Sequence, residues 1–250
     1  MIKLTIDGRD IQAEKGSTIL KAAKENGIEI PTLCYHGGLS PLGNCRLCVV
    51  EVTQKGRTKV VTSCNYQAEE GMKVETKTDS LIATRKMIVE LLMGRSPNVK
   101  IVRELAQEMG IDKTRFVLEN ESCILCGLCV HVCSEYIGAN AITFSDHGTE
   151  KFVSAPLCMS AKDCIGCGAC VEICPAKCIT MKDVDGARTI FAGEQEEVGL
   201  ARVIHNWNAR VAWKKCKNCG NPFPPPSIKE FLEKGKPLPN GFFDICEKCQ

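Results

Sequence analysis

Eighteen of the 250 residues are cysteines, and most are separated from the next cysteine by only two or three residues. So many thiols are usually engaged in disulfide bonds or bound to metal ions. Residues 1–6 alternate like a β-strand and lack the basic and apolar segments of a secretory signal. Because disulfides are typical of secreted proteins, this lack and the short cysteine spacings both favour metals. Because only eight Phe, three Tyr and two Trp are present, we expect several small domains that fold around metal centres.

The charge and hydropathy of the chain exclude two kinds of partner. The 32 basic and 30 acidic residues nearly cancel, so no overall charge would draw the chain to nucleic acid or to an anionic membrane. No apolar run reaches the length of about 18 residues that a membrane-spanning helix needs. Charge and hydropathy thus predict no nucleic-acid partner and no direct membrane insertion, and the lack of a secretory signal predicts a cytoplasmic protein.

An internal repeat relates residues 122–133 to residues 163–174 at an offset of 41. Each copy has four cysteines separated by two, two and three residues, the run with which bacterial ferredoxins bind two [4Fe-4S] clusters. The fourth cysteine of each run then binds the other cluster. Pro175 directly follows the second copy, as expected for this run, whereas Ser134 follows the first copy. The predicted ligand sets are Cys123, Cys126, Cys129 and Cys174, and Cys133, Cys164, Cys167 and Cys170.

Small residues in the repeat support iron–sulfur clusters. Gly127, Gly168 and Ala169 would let the backbone approach the cluster and direct N–H groups at its sulfur atoms. The alternative is a pair of structural zinc sites. Zinc knuckles, however, combine two separate C-x2-C pairs and do not use four cysteines in one run.

A third cysteine group lies near the N-terminus, with spacings of ten, two and fifteen residues: Cys34, Cys45, Cys48 and Cys64. Two alternating runs joined by Asp7-Gly8, a helix capped by Ser17 or Thr18, and a later strand at 47–52 are typical of a β-grasp domain. Four thiolates on a loop and a neighbouring strand suit a [2Fe-2S] cluster. The alternative, scattered buried thiols, is less consistent with the glycine-rich loop in which they stand.

The last 40 residues contain two C-x2-C pairs: Cys216, Cys219, Cys246 and Cys249. The proline-rich stretch between the pairs has too few apolar residues to fold by hydrophobic burial alone. Zinc ribbons use this arrangement, and a further iron–sulfur cluster also fits it. We favour structural zinc.

The remaining candidates are interpreted as ordinary residues. We expect Cys158 and Cys178 to bind no metal, and His36 and His131 to be solvent-facing loop residues. The sequence has no glycine-rich nucleotide fingerprint after a strand, no P-loop and no nucleophile elbow. These observations predict an electron carrier with no catalytic residue of its own.

Together these features predict an α+β chain of five segments. The segments are a β-grasp [2Fe-2S] ferredoxin domain at 1–80, a helical spacer at 81–119, a dicluster bacterial ferredoxin domain at 120–182, a linker at 183–210 and a four-cysteine zinc-ribbon-like tail at 211–250.

On these cysteine motifs, residues 1 to about 182 resemble the N-terminal part of the large iron–sulfur subunit of bacterial complex I. They are also similar to the small iron–sulfur subunit of NAD-linked and electron-bifurcating hydrogenases. The resemblance implies an electron-transfer subunit. Its implied partners are a flavin subunit that reacts with NAD(H), a thioredoxin-like [2Fe-2S] subunit, and a terminal enzyme such as a hydrogenase or formate dehydrogenase.

One departure distinguishes between these relatives. Most of them bind an additional [4Fe-4S] cluster through one histidine and three cysteines after the β-grasp domain, and residues 81–119 contain neither residue type. This favours the short hydrogenase type of subunit. Two alternatives remain. A succinate dehydrogenase or fumarate reductase subunit would have a shorter spacing than the ten residues after Cys34, and a redox-sensing or interaction protein would copurify with no flavin.

Overall fold

The computed structural model describes residues 1–158, 160–190 and 196–250 of the chain. The chain divides into two compact units. The first consists of residues 1–35 and 41–126, and the second of residues 36–40 and 127–250. Within the described residues, no helix has the length and apolar character needed to span a bilayer.

The first unit is built on a five-stranded sheet. Its strands are β1 (Ile2–Ile6), β2 (Arg9–Ala13), β3 (Val49–Gln54), β4 (Arg57–Thr62) and β5 (Lys73–Glu75). They lie in the order β2-β1-β5-β3-β4, with β1 and β5 parallel and the other neighbours antiparallel. Helix α1 (Ile19–Glu25) shares one apolar core with this sheet. The arrangement is a β-grasp fold.

Local sequence signals explain the start of this fold. Asp7 and Gly8 both have positive φ, 49° and 75°, the conformation that a two-residue hairpin turn requires. The hydroxyl of Thr18 accepts a hydrogen bond from the Lys21 N–H at 3.2 Å and so caps α1. Both the predicted hairpin and the predicted helix are confirmed.

Two helices complete the first unit. They are α2 (Asp79–Arg95) and α3 (Lys100–Glu108), as predicted for the cysteine-free segment. Helix α2 contacts β3 through Arg85, which is buried and donates hydrogen bonds to three backbone carbonyls. The whole predicted spacer at 81–119 belongs to the same compact unit as the sheet.

The second unit contains short elements around the cysteine repeat. Helices α4 (Leu128–His131) and α5 (Ala169–Ile173) begin inside the two copies, and a π-helical turn (Val132–Tyr136) follows α4. Strands β6 (Thr143–Ser145) and β7 (Phe152–Ser154) form a hairpin between the copies.

The prediction of a linker at 183–210 is wrong. Its described residues form most of a three-stranded antiparallel sheet of β8 (Met181–Ile190), β9 (Glu196–Ile204) and β10 (Ala209–Ala212); residues 191–195 of the segment lie outside the described residues. Ala201 and Ile204 are fully buried, whereas β8 carries many polar residues. Tertiary packing therefore stabilises strands whose apolar pattern is weak.

The tail adds three short elements to the second unit. Strands β11 (Lys214–Lys215) and β12 (Pro222–Phe223) pair antiparallel, and helix α6 (Lys229–Glu233) follows them. Strand β11 ends directly before Cys216, so the small hairpin positions the first pair of tail cysteines.

Candidate metal centres

The N-terminal cysteine group is assembled by the ends of the sheet strands. Cys34 lies in the loop after α1, Cys45 and Cys48 precede β3, and Cys64 follows β4. Cys34, Cys48 and Cys64 are buried and Cys45 is partly exposed. The fold thus brings together four thiols that are spread over thirty-one positions of the sequence.

These four thiols form two pairs. The Cys34 thiol hydrogen-bonds the Cys45 sulfur, which lowers the pKa of Cys45 to about 6 and raises that of Cys34. The Cys64 thiol does the same for Cys48, whose pKa also falls to about 6. Each iron of a [2Fe-2S] cluster needs two cysteine thiolates. Two adjacent pairs therefore fit this group.

Buried side chains donate hydrogen bonds to the backbone on both sides of Cys48. Arg85 donates from Nε to the Leu47 carbonyl at 3.0 Å and from Nη2 to the Val49 carbonyl at 2.6 Å. The Ser63 hydroxyl donates to the carbonyl of Cys48 itself at 2.8 Å. Since these contacts satisfy buried carbonyls, they hold the cysteine-bearing turn in one conformation.

The sequence repeat is reproduced in the backbone of the two cysteine runs. Leu125 and its counterpart Gly166 have φ of 52° and 68°, and Gly127 and Gly168 have φ of 84° and 73°. Left-handed residues allow a tight turn in which backbone N–H groups can point to the interior of the loop. The Gly166 N–H, for example, donates to the Cys164 sulfur at 3.4 Å.

One predicted four-iron set lies in a single place. A small cavity is lined by all four of its members, which are Cys133, Cys164, Cys167 and Cys170. Burial raises the pKa of Cys167 to about 12 and that of Cys170 to about 11. The Ala141 N–H donates to the Cys133 sulfur at 3.3 Å. Clustered thiols with backbone donors suit a [4Fe-4S] cluster.

The other predicted four-iron set is divided between the units. Cys123 and Cys126 belong to the first unit, and Cys129 and Cys174 to the second. In the first unit, the Arg95 Nε donates to the Cys123 carbonyl at 3.2 Å. In the second, Cys129 and Cys174 are both buried.

Two further cysteines differ in their surroundings. The sulfurs of Cys174 and Cys178 are 3.7 Å apart, and the hydrogen bond from the Cys178 thiol lowers the pKa of Cys174 to about 6. Cys178 therefore contacts the predicted ligand Cys174, a contact that the sequence did not predict. Cys158 is exposed and contacts the Ser154 hydroxyl at 3.8 Å.

The C-terminal group is the tightest. The sulfurs of all four cysteines lie within 4.8 Å of one another, and those of Cys219 and Cys246 are 3.8 Å apart. Tetrahedral zinc with Zn–S bonds of about 2.3 Å sets its ligand sulfurs about 3.8 Å apart. A [2Fe-2S] or [4Fe-4S] cluster distributes its four cysteines over two or four iron atoms and so spreads the ligand sulfurs further. The spacing therefore fits one metal ion.

Backbone donors surround this group as well. The Cys246 N–H donates to the Cys216 sulfur at 3.4 Å, and hydrogen bonds from the N–H groups of Cys246 and Cys219 lower the pKa of Cys216 to about 6. The turn after Cys219 closes at Gly220, which has a φ of 72°. Such a turn is the form of a metal-binding knuckle.

The histidines flagged in the sequence hydrogen-bond nearby loop atoms. His131 Nε2 lies 2.9 Å from the Ser40 carbonyl and 2.6 Å from Glu135 Oε2. His36 Nδ1 accepts a hydrogen bond from the Gly38 N–H at 3.2 Å. Only a fifth of the His131 side chain is exposed, so the expectation of a solvent-facing residue is wrong for it.

Sequence reasoning missed two residues that contact the cysteine run at 164–174. Trp207 Nε1 donates to the Cys170 sulfur at 3.5 Å. Arg202, paired with Asp183 at 2.8 Å, donates to the Gly166 carbonyl at 3.0 Å and to the Pro225 carbonyl at 2.7 Å. Both residues lie in the segment interpreted as a linker, where the sequence pattern gave no clear strand signal.

Comparison with known proteins gives matches over the same regions. Residues 1–79 match the 2Fe-2S iron-sulfur cluster binding domain, and residues 115–175 match the 4Fe-4S dicluster domain. The fold and the cysteine groups thus define a protein with one domain of each kind.

Its relatives are subunits of larger enzymes. NADPH-Fe(3+) oxidoreductase subunit alpha of Geobacter sulfurreducens is 36% identical over 59% of this chain and 20% of its own length. The mitochondrial NADH-ubiquinone oxidoreductase 78 kDa subunit of Candida albicans is 29% identical over 60% of this chain and 24% of its own length. The chain therefore spans about a fifth to a quarter of the length of these curated relatives.

A solved structure extends the likeness to the fold. A chain in the crystal structure of NAD+-reducing [NiFe]-hydrogenase in the H2-reduced state is similar with a TM-score of 0.55 and 29% identity, over 62% of this chain and 75% of that chain. The chain thus carries a 2Fe-2S domain and a 4Fe-4S dicluster domain, and about 60% of it is similar to a subunit of NADH-ubiquinone oxidoreductase and to a chain of an NAD+-reducing hydrogenase. The resemblance predicted from the cysteine motifs is confirmed.

Proposed function

We propose that this chain relays electrons inside an NAD-linked oxidoreductase complex, between a flavin subunit that reacts with NAD(H) and a terminal redox enzyme such as a hydrogenase or formate dehydrogenase. The observation that carries the proposal is the succession of a [2Fe-2S] domain and a [4Fe-4S] dicluster domain in one chain whose relatives are subunits of such enzymes. A thioredoxin-like [2Fe-2S] subunit would be a further partner, and the complex would work in the cytoplasm.

We assign three clusters to the chain. The [2Fe-2S] cluster would be bound by Cys34, Cys45, Cys48 and Cys64. The two [4Fe-4S] clusters would be bound by Cys123, Cys126, Cys129 and Cys174, and by Cys133, Cys164, Cys167 and Cys170. The cavity that the last four residues share supports the exchange of the fourth ligand between the two runs.

The protein around these sites would bind and tune the clusters. When bound, each cluster passes one electron at a time, which connects two-electron hydride chemistry at a flavin to a distant acceptor. Backbone N–H groups such as those of Gly166 and Ala141 donate to the ligand sulfurs, and buried apolar residues exclude water. Neither contribution requires a catalytic acid or base.

At the C-terminal group we propose a single structural zinc ion, bound by Cys216, Cys219, Cys246 and Cys249. The sulfur spacing supports one metal in preference to a fourth cluster. One cavity of about 510 Å³ is lined both by Cys167 and by three of these four cysteines. Zinc would therefore hold the tail next to a cluster-binding loop.

The first experiment is a metal and sulfide analysis of the anaerobically purified chain, with paramagnetic resonance of the reduced sample. About ten irons and one zinc per chain are expected, together with signals of one two-iron and two four-iron clusters. The variant Cys158→Ser serves as the control for cysteine removal and should retain the same iron, zinc and cluster signals. Several zinc ions with little iron would overturn the assignment.

The second experiment tests the place in a complex. The tagged chain, purified anaerobically from its native cells, should copurify with a flavoprotein, and NADH should reduce its clusters in that preparation. Clusters that are present while no flavin copurifies and NADH reduces none of them would instead indicate a redox-sensing protein.

A further inference from the structure

Trp207 comes from outside the matched dicluster segment but reaches one of its cysteines. It lies in the 3-10 turn His205–Trp207 between β9 and β10 and is 6% exposed. Its Nε1 lies 3.5 Å from the Cys170 sulfur. The turn is fixed on the cluster side by the hydrogen bond from the Ala161 N–H to the Trp207 carbonyl at 3.1 Å.

In this hydrogen bond the indole N–H must be the donor and the sulfur the acceptor. The indole N–H can donate but cannot accept a hydrogen bond, and a buried donor needs an acceptor. A metal-bound cysteine is a thiolate without a proton, so its sulfur can only accept. Trp207 would therefore keep its hydrogen bond to Cys170 when iron is bound.

We propose that Trp207 raises the reduction potential of the [4Fe-4S] cluster assigned to Cys133, Cys164, Cys167 and Cys170. This inference rests on the ligand assignment proposed above. Reduction adds one negative charge to the cluster and its sulfurs, so a hydrogen bond to a ligand sulfur stabilises the reduced form more than the oxidised form. The segment after residue 175 thereby contributes a donor that tunes the cluster domain.

The test compares Trp207→Phe with the intact chain in an anaerobic redox titration followed by paramagnetic resonance. Phe keeps most of the apolar contact and removes the donor. At a fixed potential, the ratio of reduced to oxidised cluster should fall roughly two- to tenfold, equivalent to about 20 to 60 mV for a one-electron couple. One [4Fe-4S] signal should shift, and the other signals should not.

The second tryptophan provides a matched control. Trp213 Nε1 has no hydrogen-bond partner in the described part of the chain, so Trp213→Phe should leave all cluster potentials unchanged. An unchanged potential in Trp207→Phe, with all clusters present, would overturn the inference and leave the proposed function intact. Absence of four-iron clusters from the unmodified chain would overturn the proposed function itself.

The direction of the shift separates loss of the donor from water entry. Water that fills the space left by the indole would solvate the reduced cluster and raise its potential, whereas loss of the N–H group lowers it. Iron content and circular dichroism should match those of the unmodified chain. A raised potential would therefore refute a hydrogen-bonding role for Trp207.

Discussion

The two four-cysteine groups at the ends of the chain have the same ligands but opposite surroundings. In the N-terminal group, two of the cysteines, Cys48 and Cys64, belong to an apolar core of seventeen buried residues, counted among the residues described. In the C-terminal group the corresponding core has three buried residues by the same count, and two of these are the cysteines Cys216 and Cys246.

This difference indicates what each metal centre does for the fold. The N-terminal sheet has enough buried apolar surface to fold by itself, so its cysteines can serve a cofactor without depending on it. The apolar cluster around the C-terminal cysteines is much smaller, so the proposed metal would supply a large share of the tail's folding energy. Under the proposed assignments, the same residue type binds a cofactor at one end of the chain and stabilises the fold at the other.

The largest expected effect follows from removing the C-terminal metal. Cys246→Ser should abolish zinc binding and unfold residues 213–250, because structural zinc contributes about 10–16 kcal/mol in small zinc-binding peptides. Hydrogen exchange should show loss of protection across the tail. Retained protection in a zinc-free sample would show that the tail folds without metal and would remove the contrast between the two ends.

The matching change at the N-terminal group should affect the cofactor and spare the sheet. Cys48→Ser should remove about two irons per chain and the [2Fe-2S] signal, while strands β1, β2 and β5 keep their exchange protection. Cys158→Ser is again the control. If the sheet unfolded with the loss of this cluster, both ends of the chain would depend on metal for their structure.

A smaller effect is expected from the arginine behind Cys48. Arg85→Leu would leave the carbonyls of Leu47, Val49 and Thr76 without their donors, and we expect a loss of about 3 kcal/mol in the free energy of unfolding of the first unit. Denaturant unfolding followed by hydrogen exchange at β3 measures it. The exposed Arg57 gives the control variant Arg57→Leu, which should be neutral; equal losses in both variants would contradict the role given to Arg85.

The smallest effect is expected at the ion pair of the tail. Lys217 and Asp244 are 2.6 Å apart, but the Lys217 side chain is 71% exposed. Solvent-exposed pairs contribute little, so Asp244→Asn should change neither zinc content nor exchange protection of the tail. Loss of order in this variant would mean that surface charges, and not the metal alone, hold the tail together.

Much of the structure was predictable because its signals are local. The Asp7-Gly8 turn, the Thr18 cap and the repeat of two cysteine runs each depend on neighbours in the sequence, and the structure contains all three. The three-stranded sheet was not predictable in this way. Its strand β8 is rich in polar residues and is stabilised by pairing with β9.

The sequence by itself identified which cysteines can act together, because the spacing of ligands along a loop limits which metal centres the loop can bind. Tertiary structure alone decided how the thiols of Cys34 and Cys64 pair with their partners, how closely the four C-terminal sulfurs approach, and which distant donors reach a predicted cluster ligand. Trp207 and Cys170 are 37 residues apart and meet only through the packing of β9 and β10. Such contacts depend on the whole fold, because no pattern of neighbouring residues encodes a distance across it.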